Sequence, residues 1–206
     1  MGTIGVGKST WVNQFSQYLS NLDHDSVTFK VFEEPTQEWT AYGCNQVNLL
    51  ELMYHYPACY SNTFQLLALL TKLKQLENNL SADINIIERH FYCQMYVFIP
   101  LLLKNNYIGP NEAAILIDLI NIVSKQFKPD LIIYLSCPLE IALDRISSRK
   151  RRGEECITYE YLSQIDQKYK SFLSNFDICP VITVDTTKNN SFNPVFADIL
   201  KIINNL

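Results

Sequence analysis

The sequence opens with the stretch Gly2-Thr3-Ile4-Gly5-Val6-Gly7-Lys8-Ser9, which matches the pattern G-x-x-x-x-G-K-[ST] at every fixed position. Glycines let such a loop approach phosphate groups closely, and the N–H groups of the loop and of the following helix direct partial positive charge at them. The lysine reaches the terminal phosphates, and the final hydroxyl can bind Mg²⁺. The stretch therefore predicts a loop that binds a nucleoside triphosphate, although taken alone it also fits a glycine-rich turn that caps a helix.

The next residues, 10–19, have the spacing of a helix, with Trp11, Phe15 and Leu19 on one face. A phosphate-binding loop ordinarily follows a buried β-strand, whereas only Met1 precedes it here. We therefore expect the first, central strand of the sheet to be missing from the given sequence, and the natural chain to begin several residues upstream with an apolar strand. About five buried apolar residues there would contribute roughly 8–15 kcal/mol.

Composition limits the class of protein. A chain of 206 residues fits a single domain, residues 1–206. The net charge of −4 gives no basic surface of the kind that binds nucleic acid, and no apolar run is long enough to span a membrane. The six cysteines form no C-x-x-C pair, which indicates reduced thiols in a cytoplasmic, intracellular compartment. A mitochondrial location stays open if the natural N terminus extends further.

Short β-branched runs alternate with helical patterns along the chain. The predicted strands are 27–32, 84–87, 130–135 and 181–184. The predicted helices after the opening one are 47–54, 61–80, 91–104, 111–127, 138–150 and 158–175. This alternation predicts an α/β fold with a parallel sheet covered on both faces, the three-layer domain typical of P-loop NTPases. Ligands of such sheets bind beyond the carboxyl ends of the strands.

Charged residues follow two of the predicted strands, at that ligand-binding edge. Glu34 follows the first strand and is a natural base for a hydroxyl nucleophile, although an acidic loop residue can also be merely solvated. Glu88 and Arg89 end the second strand, where Arg89 is placed to contact a reacting oxygen and Glu88 to hold Mg²⁺ through water. A structural salt bridge is the alternative there. His90 is expected to pack or to cap the next helix.

A basic cluster, R-x-x-x-R-x-R-x-G-E, runs from Arg145 to Glu154. Helical spacing puts Arg145 and Arg149 on one face. Because a phosphoryl group in transfer spreads charge over its equatorial oxygens, positioned arginines stabilise it. The cluster predicts a lid over phosphates at about residues 145–156. In isolation, a solvated basic helix end explains it equally well.

Together these motifs resemble the deoxynucleoside kinase family, which includes the insect multisubstrate kinase, deoxycytidine and deoxyguanosine kinases, and mitochondrial-type thymidine kinase. The resemblance covers nearly the whole chain. It is strongest in N-L-L-E-L-M-Y at 48–54, in Phe64-Gln65 and in the lid, which is similar to that of herpesviral thymidine kinases. It implies ATP-dependent phosphorylation of a deoxynucleoside 5′-hydroxyl for nucleotide salvage, with Mg²⁺. It also implies a homodimer, for which 91–104 and 111–127 supply apolar stretches.

The resemblance further implies roles for individual residues. Glu34 would take the proton from the 5′-hydroxyl, and Arg89 would hold that oxygen. Tyr54 and Glu154 would bind the 3′-hydroxyl, and Gln65 would read the base edge. The other implied substrate-binding residues are Ile4, Trp39, Leu50, Phe64, Ala68, Lys72, Gln94 and Phe98. The implied ATP-binding residues are Gly2, Thr3, Ile4, Gly5, Val6, Gly7, Lys8, Ser9, Thr10, Arg145, Arg149 and Arg151, and the implied Mg²⁺ residues are Ser9 and Glu88.

Three positions of the implied base pocket bear on substrate choice, namely Ala68, Lys72 and Gln94. Thymidine-accepting members of the family tend towards Val, Met and Ala there, whereas members acting on deoxycytidine and purine deoxynucleosides tend towards Ala, Arg and Asp. Ala68 and Lys72 lean to the second group, while Gln94 belongs to neither and can donate or accept. A cation at Lys72 should crowd a thymine methyl group. We predict a broad or deoxycytidine- and purine-leaning range, with thymidine-type specificity as the alternative.

Two other interpretations compete with this one. Thymidylate kinase and other nucleoside monophosphate kinases share the loop and a lid, but Tyr54, Phe64-Gln65 and Glu88-Arg89-His90 favour a nucleoside pocket. A non-catalytic structural relative is supported by the absent first strand. It is disfavoured because the charged residues of the loop, of both strand ends and of the lid are all present together.

Overall fold

The structure, a computed structural model, describes residues 1–21, 28–187 and 192–203. In these residues the helices are α1 (Lys8–Ser20), α2 (Thr36–Thr40), α3 (Leu49–His55), α4 (Pro57–Leu76), α5 (Phe91–Cys93), α6 (Ile99–Lys104), α7 (Pro110–Ser124), α8 (Leu139–Arg149), α9 (Tyr159–Ser174) and α10 (Asn193–Ile203). The strands are β1 (Phe29–Phe32), β2 (Ile84–Ile87), β3 (Ile132–Ser136) and β4 (Val181–Asp185). A π-helical turn, Gln94–Phe98, joins α5 to α6, and a 3₁₀ turn, Glu154–Cys156, follows α8.

The strands form two parallel pairs in the described residues. β1 pairs with β2, with Phe29 opposite Ile84, and β3 pairs with β4, with Ile132 opposite Val181. Parallel neighbours need a long crossover, and here α2, α3 and α4 connect the first pair while α8 and α9 connect the second. The predicted α/β fold with parallel strands is confirmed.

The first residue lies against β3, on the edge that faces away from β4. The Met1 amino group donates to the Ile133 carbonyl at 2.6 Å, and the Leu135 N–H donates to the Met1 carbonyl at 2.8 Å. A cavity of about 480 Å³ is lined by Met1, by α1 and by residues of both β2 and β3. The strand that we expect before residue 1 lies outside the given sequence and stays a prediction.

Helices cover both faces of the β3–β4 pair. On one face, α1 and α10 pack against Leu135 through a cluster that contains the fully buried Phe15 and Phe196. On the other face, α8 and α9 pack around Tyr134 and Leu162. Because neighbouring side chains of a strand point to opposite faces, Tyr134 packs against the helices of one layer and Leu135 against those of the other. The result is a three-layer arrangement of helix, strand and helix.

A further apolar cluster builds the wall on which the functional site lies. Helices α2, α3 and α4 meet around Trp39, Leu50 and Phe64. The rings of Trp39 and Phe64 pack edge to face at 5.4 Å, and the Trp39 indole N–H donates to the Thr71 hydroxyl at 2.9 Å. This cluster fixes the helices that carry the implied base-binding residues.

Element boundaries differ from the predictions at several points. Helix α4 begins at Pro57, earlier than the predicted residue 61, because proline suits the first position of a helix. The predicted strand 27–32 is observed from Phe29 onward, and residue 27 lies outside the described residues. Helix α10 was not predicted. No helix among the described residues is both long enough and apolar enough to cross a membrane.

Candidate active site

The loop before α1 has left-handed backbone at Gly5 and Gly7, a conformation that favours glycine. Gly5 and Gly7 have φ angles of 77° and 92°. A Cβ on Gly5 would lie 2.3 Å from the carbonyl oxygen of Ala142, so α8 packs against the loop too closely for any side chain. The sequence G-x-G thus bends the loop and lets α8 support it from behind.

Lys8 begins α1 and reaches back across the loop. Its ammonium group donates to the Thr3 carbonyl at 2.8 Å. Burial and then the nearby Arg89 charge lower the pKa of Lys8 from its ordinary 10.5 to about 8. Loop N–H groups, a helix N terminus and a buried cation together make an anion-binding arrangement, as the opening pattern predicted.

Arg145 and Thr186 brace the loop. The Arg145 guanidinium donates to the carbonyls of Val6 at 3.3 Å and Thr186 at 2.7 Å. The Thr186 hydroxyl also donates to the Val6 carbonyl, at 2.7 Å. Arg145 therefore ties the loop to the segment after β4, in addition to lining the cavity described next.

A cavity of about 670 Å³ opens beside the loop and gathers most of the implied site residues. Those that line it are Ile4, Gly5, Gly7, Lys8, Ser9, Thr10, Glu34, Trp39, Leu50, Tyr54, Phe64, Gln65, Ala68, Lys72, Glu88, Arg89, Gln94, Phe98, Arg145, Arg149, Arg151 and Glu154. Gly2, Thr3 and Val6 are buried in the loop behind this surface. The lining has six cationic side chains and four carboxylates, so the cavity favours an anionic ligand.

Glu34 and Arg89 form an ion pair on the cavity wall. The Arg89 Nε lies 2.6 Å from the Glu34 Oε1, and the Arg89 Nη1 donates to the Tyr169 hydroxyl at 2.9 Å. Burial by itself would raise the pKa of Glu34, but Arg89 and then Lys8 outweigh it, so the pKa lies below its ordinary value. Burial disfavours the charged form of Arg89, but the nearby Glu34 carboxylate favours it. The net effect is that the pKa of Arg89 is raised. Glu34 is therefore an ionised carboxylate with a fixed orientation.

Ser9 and Glu88 present oxygen atoms next to the phosphate loop. The Ser9 hydroxyl lies 3.1 and 3.2 Å from the two carboxylate oxygens of Glu88, which is buried. A hydroxyl and a carboxylate beside a phosphate site are hard oxygen donors of the type that Mg²⁺ uses. The residues present thus fit the implied ion, with Glu88 held at the end of β2.

Two glutamines meet on the cavity wall that carries the implied base-binding residues. The Gln94 amide donates to the Gln65 side-chain oxygen at 3.0 Å and to its backbone carbonyl at 2.9 Å. Gln65 is buried on α4, one residue after Phe64. Phe98 faces this wall with its ring 5.1 Å from the Arg89 guanidinium. The wall therefore combines aromatic surfaces with a pair of amides that can each donate and accept.

Lys72 points towards the end of β2. Its ammonium group donates to the Glu88 carbonyl at 2.9 Å and to the Gln75 side-chain oxygen at 3.1 Å. Burial lowers its pKa, while Glu34 and Glu88 act in the opposite direction. The Lys72 side chain is buried and does not extend into solvent.

The segment 145–156, predicted as a lid, closes one side of the cavity. Arg149 binds both carboxylate oxygens of Glu154 at 2.6 Å, and Arg151 lies 3.3 Å from the same group. Glu154 is buried next to Tyr54, whose pKa is raised by burial and then by the nearby Tyr161 and Glu154. Arg149 and Arg151 are therefore held by a buried carboxylate, whereas the Arg152 side chain is 81% exposed.

Several residues at the site carried no signal in the sequence. Tyr169 binds Arg89 from α9, Thr186 binds the phosphate loop from beyond β4, and Tyr161 lines the cavity. His90 caps α5 by accepting from the Tyr92 N–H at 3.2 Å, as expected. Burial lowers the His90 pKa to about 4, so this histidine is neutral.

Comparison with known proteins agrees with this geometry. A family model described as deoxynucleoside kinase matches residues 1–206. The chain is 28% identical to human deoxycytidine kinase over 233 aligned residues, which cover 97% of the chain and 86% of that protein. It is 29% identical to deoxycytidine kinase 1 of Xenopus laevis, covering 91% of the chain and 81% of that protein. Protein 143R of Invertebrate iridescent virus 6 is 27% identical, covering 99% and 94%.

Replacing Glu34 by Gln should destabilise the fold, because it leaves the buried Arg89 guanidinium without its counter-charge. We expect the free energy of unfolding at pH 7 to fall by roughly 3 kcal/mol, as measured by urea denaturation. The pKa of Glu34 is lowered by folding, so the pair stabilises above the ordinary carboxyl value of 4.5 and its contribution is lost as pH falls below it. At low pH the unfolding free energies of the wild type and the variant should therefore converge. The exposed neighbour Glu33→Gln should have little effect, and a gap that persists unchanged at pH 3 would contradict the ion pair.

Proposed function

Because the chain belongs to the deoxynucleoside kinase family, we propose that it transfers the γ-phosphoryl group of ATP to the 5′-hydroxyl of a deoxynucleoside. The observation that carries this proposal is the ion pair of Glu34 and Arg89, which shares one cavity with the phosphate loop. The cavity joins an anion-binding end to an end lined by aromatic and amide side chains. A nucleoside monophosphate kinase must hold an acceptor phosphate next to the donor phosphates, whereas this cavity presents the Glu34 carboxylate, which would repel such a group.

Glu34 acts on the acceptor. Its carboxylate is ionised and oriented by Arg89, so it can accept the proton of a 5′-hydroxyl placed between it and the loop. Arg89 remains charged and holds the same oxygen while it attacks. Tyr54 on α3 and Glu154 of the lid, which meet where these two segments contact each other, bind the 3′-hydroxyl. The burial of these groups excludes water, the competing acceptor.

The donor is held by the loop and the lid. Lys8 and the loop N–H groups bind the terminal phosphates, and Arg149 and Arg151 approach them from the lid. Ser9 and Glu88 would hold Mg²⁺, which neutralises phosphate charge when bound. The protein forms no covalent bond to the phosphoryl group, so positioning and electrostatic stabilisation account for the acceleration of phosphoryl transfer.

The Glu34→Gln and Lys8→Ala variants test this assignment. Loss of the base should lower kcat by about 10²- to 10⁴-fold, and loss of the Lys8 cation should lower kcat/KM for ATP. Product formation from ATP with deoxycytidine measures both, and Glu33→Gln serves as the matched control. Turnover of deoxycytidine monophosphate but not of deoxycytidine would point instead to a monophosphate kinase. Wild-type protein that turns over neither would support the structural alternative.

The base pocket supports a broad or deoxycytidine- and purine-leaning range. The Gln65–Gln94 pair can rotate its amides to meet either an amino or a carbonyl group on a base. Lys72 is a buried cation that lines the same cavity, and a thymine methyl group near it would hinder its solvation. Thymidine-type specificity remains the alternative.

Competition kinetics with all four deoxynucleosides test this range. We expect deoxycytidine to have a kcat/KM at least equal to that of thymidine. The Gln94→Asp change should favour deoxycytidine further, because a carboxylate accepts from the cytosine amino group and repels the thymine carbonyl. A thymidine kcat/KM well above the other three would overturn the proposal.

We further propose that two copies pair through α4 and α7. Leu66 and Leu70 on α4 and Ile115, Leu119 and Ile122 on α7 are exposed, and Ile122 is 63% exposed. Large apolar side chains that are exposed together on two neighbouring helices are typical of an interaction site. The resemblance also suggests the stretch 91–104 for pairing. Most of its side chains are buried or partly buried within the chain, where they belong to the apolar core.

The pairing predicts a dimer that Ile122→Asp dissociates. Sedimentation velocity should give the mass of a dimer for the wild type and of a monomer for this variant, since the charge would be desolvated at the interface. Ile178→Asp, at a similarly exposed isoleucine between α9 and β4, should leave the dimer intact. A wild-type monomer at micromolar concentration would contradict the pairing.

A further inference from the structure

A cysteine, a histidine and a glutamate meet outside the cavity, where the end of α3 contacts the 3₁₀ turn after the lid arginines. The Cys156 Sγ lies 3.3 Å from the His55 Nδ1. The His55 Nε2 lies 3.3 Å from the Glu155 carboxylate. The Cys156 residue is exposed, and the side chains of His55 and Glu155 are 36% and 61% exposed. None of the three has a role in the proposed phosphoryl transfer.

This order of groups is that of an activated nucleophile. A thiol becomes nucleophilic as the thiolate, and an adjacent imidazole takes its proton. A third group that accepts from the other ring nitrogen selects the tautomer and stabilises the imidazolium. Glu155 occupies that position, and backbone hydrogen bonds together with His55 lower its pKa, which keeps it ionised. A thiol kept only for packing would be buried, as Cys93 is.

We propose that Cys156, His55 and Glu155 form a reactive-thiol site that exchanges with low-molecular-weight disulfides such as glutathione disulfide. The Cys156 proton passes to the His55 Nδ1, and the thiolate sulfur attacks one sulfur of the disulfide. A new bond forms between the Cys156 sulfur and that atom as the original S–S bond breaks. The departing thiolate takes the proton from His55, so the balance needs no other oxidant.

The site lies at the junction between the lid and the substrate-binding helix α3. Gly153 packs so closely on α3 that a Cβ there would lie 2.7 Å from the Glu51 Cα, and Arg152 binds Glu51 at 3.2 Å. An adduct on Cys156 displaces His55 from this junction. Because α3 carries Tyr54 and the turn begins with Glu154, we expect modification to raise the KM for the deoxynucleoside. This consequence rests on the proposed function, whereas the thiol chemistry does not.

The chemistry is tested with single-exposed-thiol variants and glutathione disulfide. Cys44→Ser/Cys59→Ser leaves Cys156 as the exposed thiol, and Cys59→Ser/Cys156→Ser leaves Cys44, which is also exposed. Intact-mass measurement should give a second-order rate at least about tenfold higher for Cys156 than for Cys44. Adding His55→Gln should remove that advantage and leave the Cys44 rate unchanged. Equal rates for the two thiols, or a Cys156 rate that does not respond to His55→Gln, would overturn the proposal.

Kinase assays test the consequence separately. Glutathione disulfide should raise the deoxynucleoside KM of the wild type, dithiothreitol should reverse the change, and Cys156→Ser should not respond. Full modification with an unchanged KM would overturn the link to the lid while leaving the measured thiol rates as they stand. An inactive wild type would instead count against the proposed function.

Discussion

The position of Arg89 is the constraint on which the rest of the site depends. This residue follows β2 and has a φ of 57°, in the left-handed region that costs a non-glycine residue roughly 1 kcal/mol. Its guanidinium then contacts Glu34 after β1, Tyr169 on α9 and the ring of Phe98 in the π-helical turn. A buried guanidinium without these partners would be strongly destabilising. One charge therefore fixes four segments relative to each other, and the end of the cavity that we propose binds the acceptor is built around it.

The parts of the site that spacing alone predicts are those whose residues form a local pattern. The loop brings Lys8 to the cavity and the lid pattern brings Arg145, Arg149 and Arg151 there, whereas Arg152 binds Glu51 instead. Tyr169 could not be found in this way, because it is 80 residues from Arg89 and its helix predicts only that one face is apolar. Thr186 is 180 residues from Val6, with no pattern that joins them. Contacts of this kind follow from the packing of whole layers, which periodicity does not encode.

The π-helical turn is a local departure from the regular helix predicted for residues 91–104. Residues 91–104 are helical as expected, but Gln94–Phe98 widen into a π-turn just before Pro100. Proline lacks an N–H and its ring crowds the carbonyl one turn earlier, so a local change of hydrogen bonding relieves the clash. Gln94 and Phe98 both line the cavity, as their spacing of four residues on a helix already allows. The helix prediction thus places these side chains on one face, and only the local π-helical hydrogen bonding lies outside it.

Glu154 joins the two halves of the proposed reaction. Its two carboxylate oxygens bind Arg149 and Arg151, the lid residues assigned to the donor phosphates, while its burial places it beside Tyr54 on the acceptor side. Losing one arginine partner would be costly for a buried carboxylate, so the positions of the three side chains are coupled. In the proposed reaction, donor phosphates that draw the arginines inward would therefore carry Glu154 towards the sugar. Under that proposal, binding of one substrate prepares the site of the other through these shared charges.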